Sequence, residues 1–177
     1  VYLTGEIPWT DVLISGHALD PSGKKISKSK LKAAEDPTAM LEQFSADAVR
    51  YWTSSVRTGG DTSLSEEVFR NGSKLVTKLW NAARFRQMQG GEVETEISAA
   101  LLSSDDKWIL LRLDQAIREV SEALTTYNFA TAVQALYRFF WSEYCDWYVE
   151  ASKAAFASGD PALKANKLAV IDFVLGH

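Results

Sequence analysis

The sequence predicts a mainly α-helical chain: a small α+β connecting module followed by an antiparallel helical bundle. From residue 66 onward, apolar residues recur at steps of three and four through long stretches, the signature of helices with one buried face. Those stretches are separated by Gly90-Gly91, by Asn128, and by Gly159-Asp160-Pro161, and short links force neighbouring helices antiparallel. Before residue 64 the apolar runs are short and bounded by Gly5, Pro8 and Gly16, which suits brief strands and turns.

Taken in order, Tyr2-Leu3 and Val12-Leu13-Ile14 read as short β structure entering a loop. Asp36 before Pro37 marks a helix start, with a side-chain acceptor at the cap and a fixed φ at the first helical position. Ser45 is expected to cap a second helix from Ala46 through Thr53 that buries Val49 and Trp52. The chain must then turn at Arg57-Thr58-Gly59-Gly60-Asp61, where Arg57 and Asp61 are suited to fixing the link between module and bundle, and Thr62 to Leu64 forms one more strand. This module spans residues 1–64.

The bundle, residues 65–177, opens at Ser65, with Glu66 and Glu67 at the favourable end of the helix dipole. At 100° per residue, Val68, Leu75, Leu79, Ala82 and Ala83 gather on a core face; Arg70, Lys74, Asn81 and Arg84 project opposite, with Lys78 at the edge. Ser104 opens the next helix, with Trp108, Leu111, Ile117, Val120 and Leu124 expected inside. Asn128 caps a third, whose seam is Phe129, Val133, Leu136, Phe140, Tyr144 and Trp147. Asp160-Pro161 starts a last helix.

Composition narrows the function classes. With 46% hydrophobic and 24% charged residues, the 177-residue chain has the balance of a globular domain. No apolar run reaches the roughly 18 residues of a membrane span, and no secretory signal is visible, so a cytoplasmic home and no membrane partner are expected. Cys145 is the single cysteine, and His17 and His177 lie far apart, so neither a disulfide nor a metal site is expected. Cys145 reads as a packed core residue. The chain starts at Val1 without methionine and finishes in an apolar pattern around Phe173, so both ends are expected to be cut and an apolar patch to be left open there.

The densest chemical signal is the stretch 16–30, Gly-His-Ala-Leu-Asp-Pro-Ser-Gly-Lys-Lys-Ile-Ser-Lys-Ser-Lys. Five lysines fall between Lys24 and Lys32 in a chain of net charge −4. Lys25 and Lys28, interleaved with Ser27 and Ser29, form a donor-rich loop suited to a polyanion such as a triphosphate. Lys25-Ile26-Ser27-Lys28-Ser29 resembles the lysine-serine loop of class I aminoacyl-tRNA synthetases, with Ile26 in place of the usual methionine, a roughly volume-conserving exchange. The run 78–85, Lys-Leu-Trp-Asn-Ala-Ala-Arg-Phe, and the run 139–150 with Lys153 follow in the order of that class's connecting module and anticodon-binding helices. Together they look like the valyl-tRNA synthetase family, and the likeness covers nearly the whole chain. Gly16-His17 is too close to Lys25 to be the class's histidine motif and reads as turn packing.

The resemblance implies an ATP-dependent activation of valine and its transfer to tRNA(Val), with Mg2+ accompanying ATP in the complete enzyme. It implies that Lys28 and Lys25 are the catalytic contacts to the phosphates and that Ser27 and Ser29 complete the ATP-binding loop. Arg70, Lys74 and Lys78 are the candidate tRNA contacts, and DNA is not an expected partner. The segment alone, lacking the nucleotide-binding half with the histidine motif, is expected to be inactive and to hold no cofactor tightly. Two alternatives stay open here: a non-catalytic tRNA-binding or interaction module derived from a synthetase, and the isoleucine-specific relative.

Overall fold

The computed structural model describes residues 2–20, 22–27, 37–64, 66–92 and 96–177, with the backbone alone at 37 and 38. Lys28, Ser29, Lys30 and Lys32 of the basic loop, and the expected caps Asp36 and Ser65, lie outside the described residues. The elements run β1 (Ala18–Leu19), α1 (Pro37–Phe44), α2 (Ala46–Ser55), β2 (Thr62–Ser63), α3 (Glu66–Met88), a 3-10 turn (Ala99–Leu101), α4 (Ser104–Thr125), α5 (Phe129–Tyr137), a π-helical stretch (Arg138–Val149), α6 (Glu150–Ala157) and α7 (Pro161–Gly176). The chain is mainly helical, with a two-stranded parallel sheet pairing Ala18 with Thr62 and Leu19 with Ser63.

Local signals set most helix starts. Ser45 accepts from Ala48 N, Asn128 from Thr131 N, and Asp160 from Ala162 N and Leu163 N with Pro161 following. The cap of α4 is Ser103 rather than Ser104: Ser103 Oγ accepts from Asp106 N while the Asp106 carboxylate accepts from Ser103 N at 2.9 Å, a reciprocal box that needs the acid three residues on.

Helix α2 packs between α3 and α5. Gly72 permits the close approach to α3, since a Cβ there would stand 3.0 Å from Ala48 Cα. Phe69 then stacks on Phe44 at 5.2 Å and meets Trp52 at 5.3 Å. The main core lies between α3, α4, the π stretch and α7, around Ile109, Leu113, Tyr144, Tyr148, Val170 and Ile171. Helix α7 is buried on every side from Asn166 to Ile171, so it is the central helix of the bundle.

Several expected core positions are corrected. In α4 the buried apolar residues are Ile109, Leu113, Ala116 and Ala123, while Trp108, Leu111, Ile117 and Leu124 are exposed. Both sets have helical spacing, and α5, the π stretch and α7 pack on the side of the first. In the third helix the buried residues are Ala132, Ala135, Phe139, Tyr144, Tyr148 and Val149, and Trp147 is 70% exposed. Bonding to i+5 puts more residues in each turn, so from Phe139 on the core recurs at steps of four and five, and Trp147, which a phase of 100° per residue places with Phe140 and Tyr144, turns outward. Leu79 and Leu136, also exposed, line an open apolar groove with Ile117 and Phe140. In α3, Ala82 is buried as expected, Val68 and Leu75 are half-buried and Ala83 is exposed; the other buried positions are Phe69, Gly72 and Arg86. In α2 it is Ala48 that is buried, Val49 and Trp52 being half-buried. Tyr2-Leu3 and Val12-Leu13-Ile14 are not strands, since no described segment pairs with them, and all five side chains are exposed.

Among the described residues, two ionic ties that are buried on both sides cross the bundle. Arg86, at the end of α3, grips Asp172 of α7 with Nε to Oδ1 at 2.5 Å and Nη2 to Oδ2 at 2.7 Å, and donates to the carbonyls of Gly90 and Glu92. The Asp106 carboxylate of α4, 1% exposed, accepts from Lys167 of α7, from Tyr148 Oη at 2.6 Å and from Ser103 Oγ at 2.8 Å. Burial pushes the Asp106 carboxyl up, but the hydrogen bonds from Lys167, Tyr148 and Ser103 outweigh it and hold the group below its ordinary value.

A folded value below the unfolded one means that the Asp106 contribution is fully present above about pH 4 and fades as pH falls through the folded value. Asp106→Asn keeps the shape but strands the Lys167 charge, so unfolding in urea at pH 7 is expected to show a loss of about 3 kcal/mol. The stability of that variant should also fall less steeply in acid, and adding Lys167→Met should recover part of the loss.

Candidate functional site

The basic loop hangs from a small ribbon. β1 lies between β2, its parallel partner, and an antiparallel bridge from Leu19 to Lys25, with Ile26 N donating to Ala18 O at 2.9 Å. The bend between Leu19 and Lys25 is tied by Asp20, whose Oδ1 accepts from Ser22 N at 2.8 Å, Ser22 Oγ at 2.6 Å and Lys24 N at 2.9 Å. Gly23 sits at φ +79°, a left-handed value that glycine adopts freely. The hydrogen bond from the Ser22 side chain, then that from Lys24 N, hold the Asp20 carboxyl below its ordinary value.

Lys25 therefore stands on an ordered ribbon edge, exposed, and Ser27 follows it half-buried. Lys28 and Ser29 lie outside the described residues. The importance of Asp20 was missed from sequence, although aspartate followed by Pro-Ser-Gly is a composition in which the carboxylate caps its own turn. His17 contributes backbone only: its N donates to Asp61 Oδ1 at 2.8 Å and its O accepts from Thr62 N at 2.9 Å.

A second cluster lies on α3. Arg70, Lys74 and Lys78 recur every four residues, so they share one face over roughly 12 Å of helix. They differ in engagement. Arg70 pairs with Glu66 at 3.2 Å on the surface, and Lys74 projects outward. Lys78 is half-buried, 2.5 Å from Asp146 and 3.9 Å from the centroid of the Trp141 ring, which itself stacks on Tyr137 at 5.3 Å. The π stretch supplies both Trp141 and Asp146, a link that sequence spacing alone did not reveal. Lys74, Thr77, Lys78, Asn81 and Trp141 line one shallow groove, which combines ammonium groups, amide and hydroxyl donors and an aromatic face. The ribbon and this groove are separate features, and no described contact joins Lys25 to α3.

Among the described residues no group of three or more His, Cys, Asp or Glu could hold a metal ion, and no helix is long and apolar enough to cross a membrane. Burial pushes the Cys145 thiol up to about 11, with the Lys78 charge opposing, so it is no nucleophile at neutral pH.

Residues 1–65 match the family described as tRNA synthetases class I (I, L, M and V), and residues 106–176 match the anticodon-binding domain of tRNA ligase. The chain belongs to the class I aminoacyl-tRNA synthetases. It is 40% identical over 179 residues to a valine–tRNA ligase of Geobacter sulfurreducens, matching 99% of this chain and 20% of that protein. It is 37% identical over 171 residues to the valine–tRNA ligase of Mycobacterium leprae, matching 96% of this chain and 19% of the relative. The synthetase chain thus spans about one fifth of the length of the curated relatives it matches. The fold is similar to part of a leucyl-tRNA synthetase from Agrobacterium radiobacter K84, solved as a ternary complex with tRNA and LeuAMS, with a TM-score of 0.62 at 17% identity over 92% of this chain and 20% of that one. The Mycobacterium tuberculosis methionyl-tRNA synthetase in its apo form gives 0.60 at 21% identity, covering 79% of this chain and 29% of that one.

If Asp20 ties the bend, Asp20→Ala should raise amide hydrogen exchange at Lys24 several-fold while exchange in α4 stays unchanged. In the parent sequence the same amide should lose protection as pH falls through the depressed Asp20 value, because the carboxylate is then protonated.

Proposed function

We propose that this synthetase segment belongs to a valine–tRNA ligase of the cytoplasm, to which it supplies the ATP-phosphate-contacting loop and the surface that binds the anticodon stem of tRNA(Val). In this reading residues 1–64 form the loop-bearing module and residues 65–177 the tRNA-binding bundle. What carries it is that one chain joins a lysine-serine loop to an anticodon-binding match, and that the relatives it matches over 94% or more of its length include several valine–tRNA ligases.

In the reaction, a carboxylate oxygen of valine bonds to the α-phosphorus of ATP and the bond to the β-phosphate bridge breaks, so pyrophosphate leaves with the electron pair. A tRNA 3′ hydroxyl then attacks the carbonyl of the adenylate and AMP departs. Charge grows on the leaving phosphates, and a cation that meets them best in the transition state lowers the barrier. Lys28 is the principal such contact, Lys25 its companion, and Ser27 and Ser29 donate hydroxyl hydrogen bonds. The turn at Gly23 gives the loop room to close over ATP. Mg2+ arrives with the phosphates of ATP. Arg70, Lys74 and Lys78 meet the tRNA backbone; the net charge of −4 confines such contacts to this local basic face.

In the complete ligase, Lys28→Ala is expected to slow valyl-adenylate formation by about a hundredfold or more, with a much smaller change in ATP affinity. Lys74→Ala should leave adenylation at the parental rate and weaken tRNA binding, lowering its salt slope by about 1. Pre-steady-state adenylation and filter binding at several salt concentrations separate the two. Parental adenylation by Lys28→Ala would remove the catalytic meaning of the loop.

A further inference from the structure

The turn 57–61 touches two parts of the molecule that are otherwise far apart in sequence. On one side Asp61 Oδ1 accepts from His17 N at 2.8 Å, and the β2 backbone runs on as the parallel partner of β1. The approach is so close that a Cβ built at Gly16 would fall on the Gly60 carbonyl and lie 2.7 Å from Asp61 N. On the other side Thr58 Oγ1 donates to Tyr127 O at 3.2 Å, in the corner between α4 and α5. That corner is itself unusual: Tyr127 has φ +56°, a left-handed value uncommon for an aromatic residue, and Asn128 N donates to Ala123 O at 2.7 Å across it. Gly59 at φ +76° allows the turn to face both ways.

From Tyr127 the connection passes through Thr58, Gly60 and Asp61 to His17, along β1, and across the antiparallel bridge to Lys25. Each step is a hydrogen bond or a packed backbone contact. The Asp61 carboxylate caps the entry of β1, where an amide would otherwise face solvent, and so fixes where the ribbon begins.

We propose that Thr58 and Asp61 are positioning residues: their turn clamps the lysine-bearing ribbon to the α4–α5 corner of the bundle and so sets where Lys25 stands relative to the phosphates. This rests on the reading of the loop as the phosphate contact of the ligase. The clamp touches no substrate. Its loss lowers the rate of the chemical step without removing a substrate contact.

The test uses the complete ligase and valine-dependent ATP–pyrophosphate exchange, normalised to active sites by the burst of valyl-adenylate. Asp61→Ala should lower kcat about fivefold to tenfold, the effect of one lost hydrogen bond, with the KM for valine unchanged. Asp61→Asn, which keeps an oxygen acceptor toward His17 N, should restore most of the rate. Thr58→Val should fall in the same direction and Thr58→Ser should recover it, a pair that keeps the test intact if Asp61→Ala folds poorly. Lys25→Ala is the reference: slow Lys25→Ala with parental Asp61→Ala and Thr58→Val overturns the clamp and leaves the function standing. Parental Lys25→Ala overturns the reading of Lys25 and the clamp with it. A fall that normalisation to active sites removes, or one that Asp61→Asn and Thr58→Ser share equally with the disruptive variants, overturns the positioning role as well.

Discussion

The arrangement of the bundle depends on a carboxylate and an ammonium that meet away from water. Asp106 sits in the first turn of α4, Lys167 midway along α7, and Tyr148 in the π stretch between them. Their shared hydrogen bonds fix the relative height of three helices whose apolar contacts alone would tolerate sliding, and Arg112 of α4 adds a paired contact to Glu143 of the π stretch. Such a pair is costly to bury, and its net worth over a well-packed apolar substitute can be small. It does penalise misalignment severely, because a shift of one turn would leave two charges unpaired in the core. Arg86 and Asp172 repeat the device at the other face of α7, so the central helix is keyed on both sides.

Features written in neighbouring residues were legible. Ser45, Asn128 and Asp160-Pro161 announce helix starts because a cap needs only a side-chain oxygen and amides two or three residues on. The division of faces that puts Lys74 outside was legible from helical spacing. What depends on partners distant in sequence was not. Lys167 and Asp106 are 61 residues apart and each reads as a surface charge by itself. Trp147 was placed inside because its phase was counted in an ordinary helix, and nothing in the composition of 138–149 betrays the wider turn. Val12-Leu13-Ile14 has the composition of a strand, but a strand exists only when another pairs with it.

The two candidate sites differ in how they are built. The ribbon carries Lys25 through ties to its backbone, local ones at the Asp20 bend and long-range ones to Asp61 and β2, so it is ordered while Lys25 stays exposed. On α3 the cation nearest the aromatic surface is held by an opposing carboxylate and a ring, whereas Lys74 one turn away is left to solvent. A mobile polyanion such as a triphosphate suits the first kind of surface. A folded RNA, which presents shape and phosphates together, suits the second.

Cys145 lies one residue from both Tyr144 and Asp146, in the middle of the π stretch, with its thiol held near 11 by burial. An unfolded cysteine would ionise near pH 8.5 and react far faster with an alkylating reagent. The chain thus contains a single internal reporter of its own opening: a small iodoacetamide labels the half-buried native thiol slowly and the detached one much faster. No dye or engineered tag has to be added, and one mass shift per molecule gives the count.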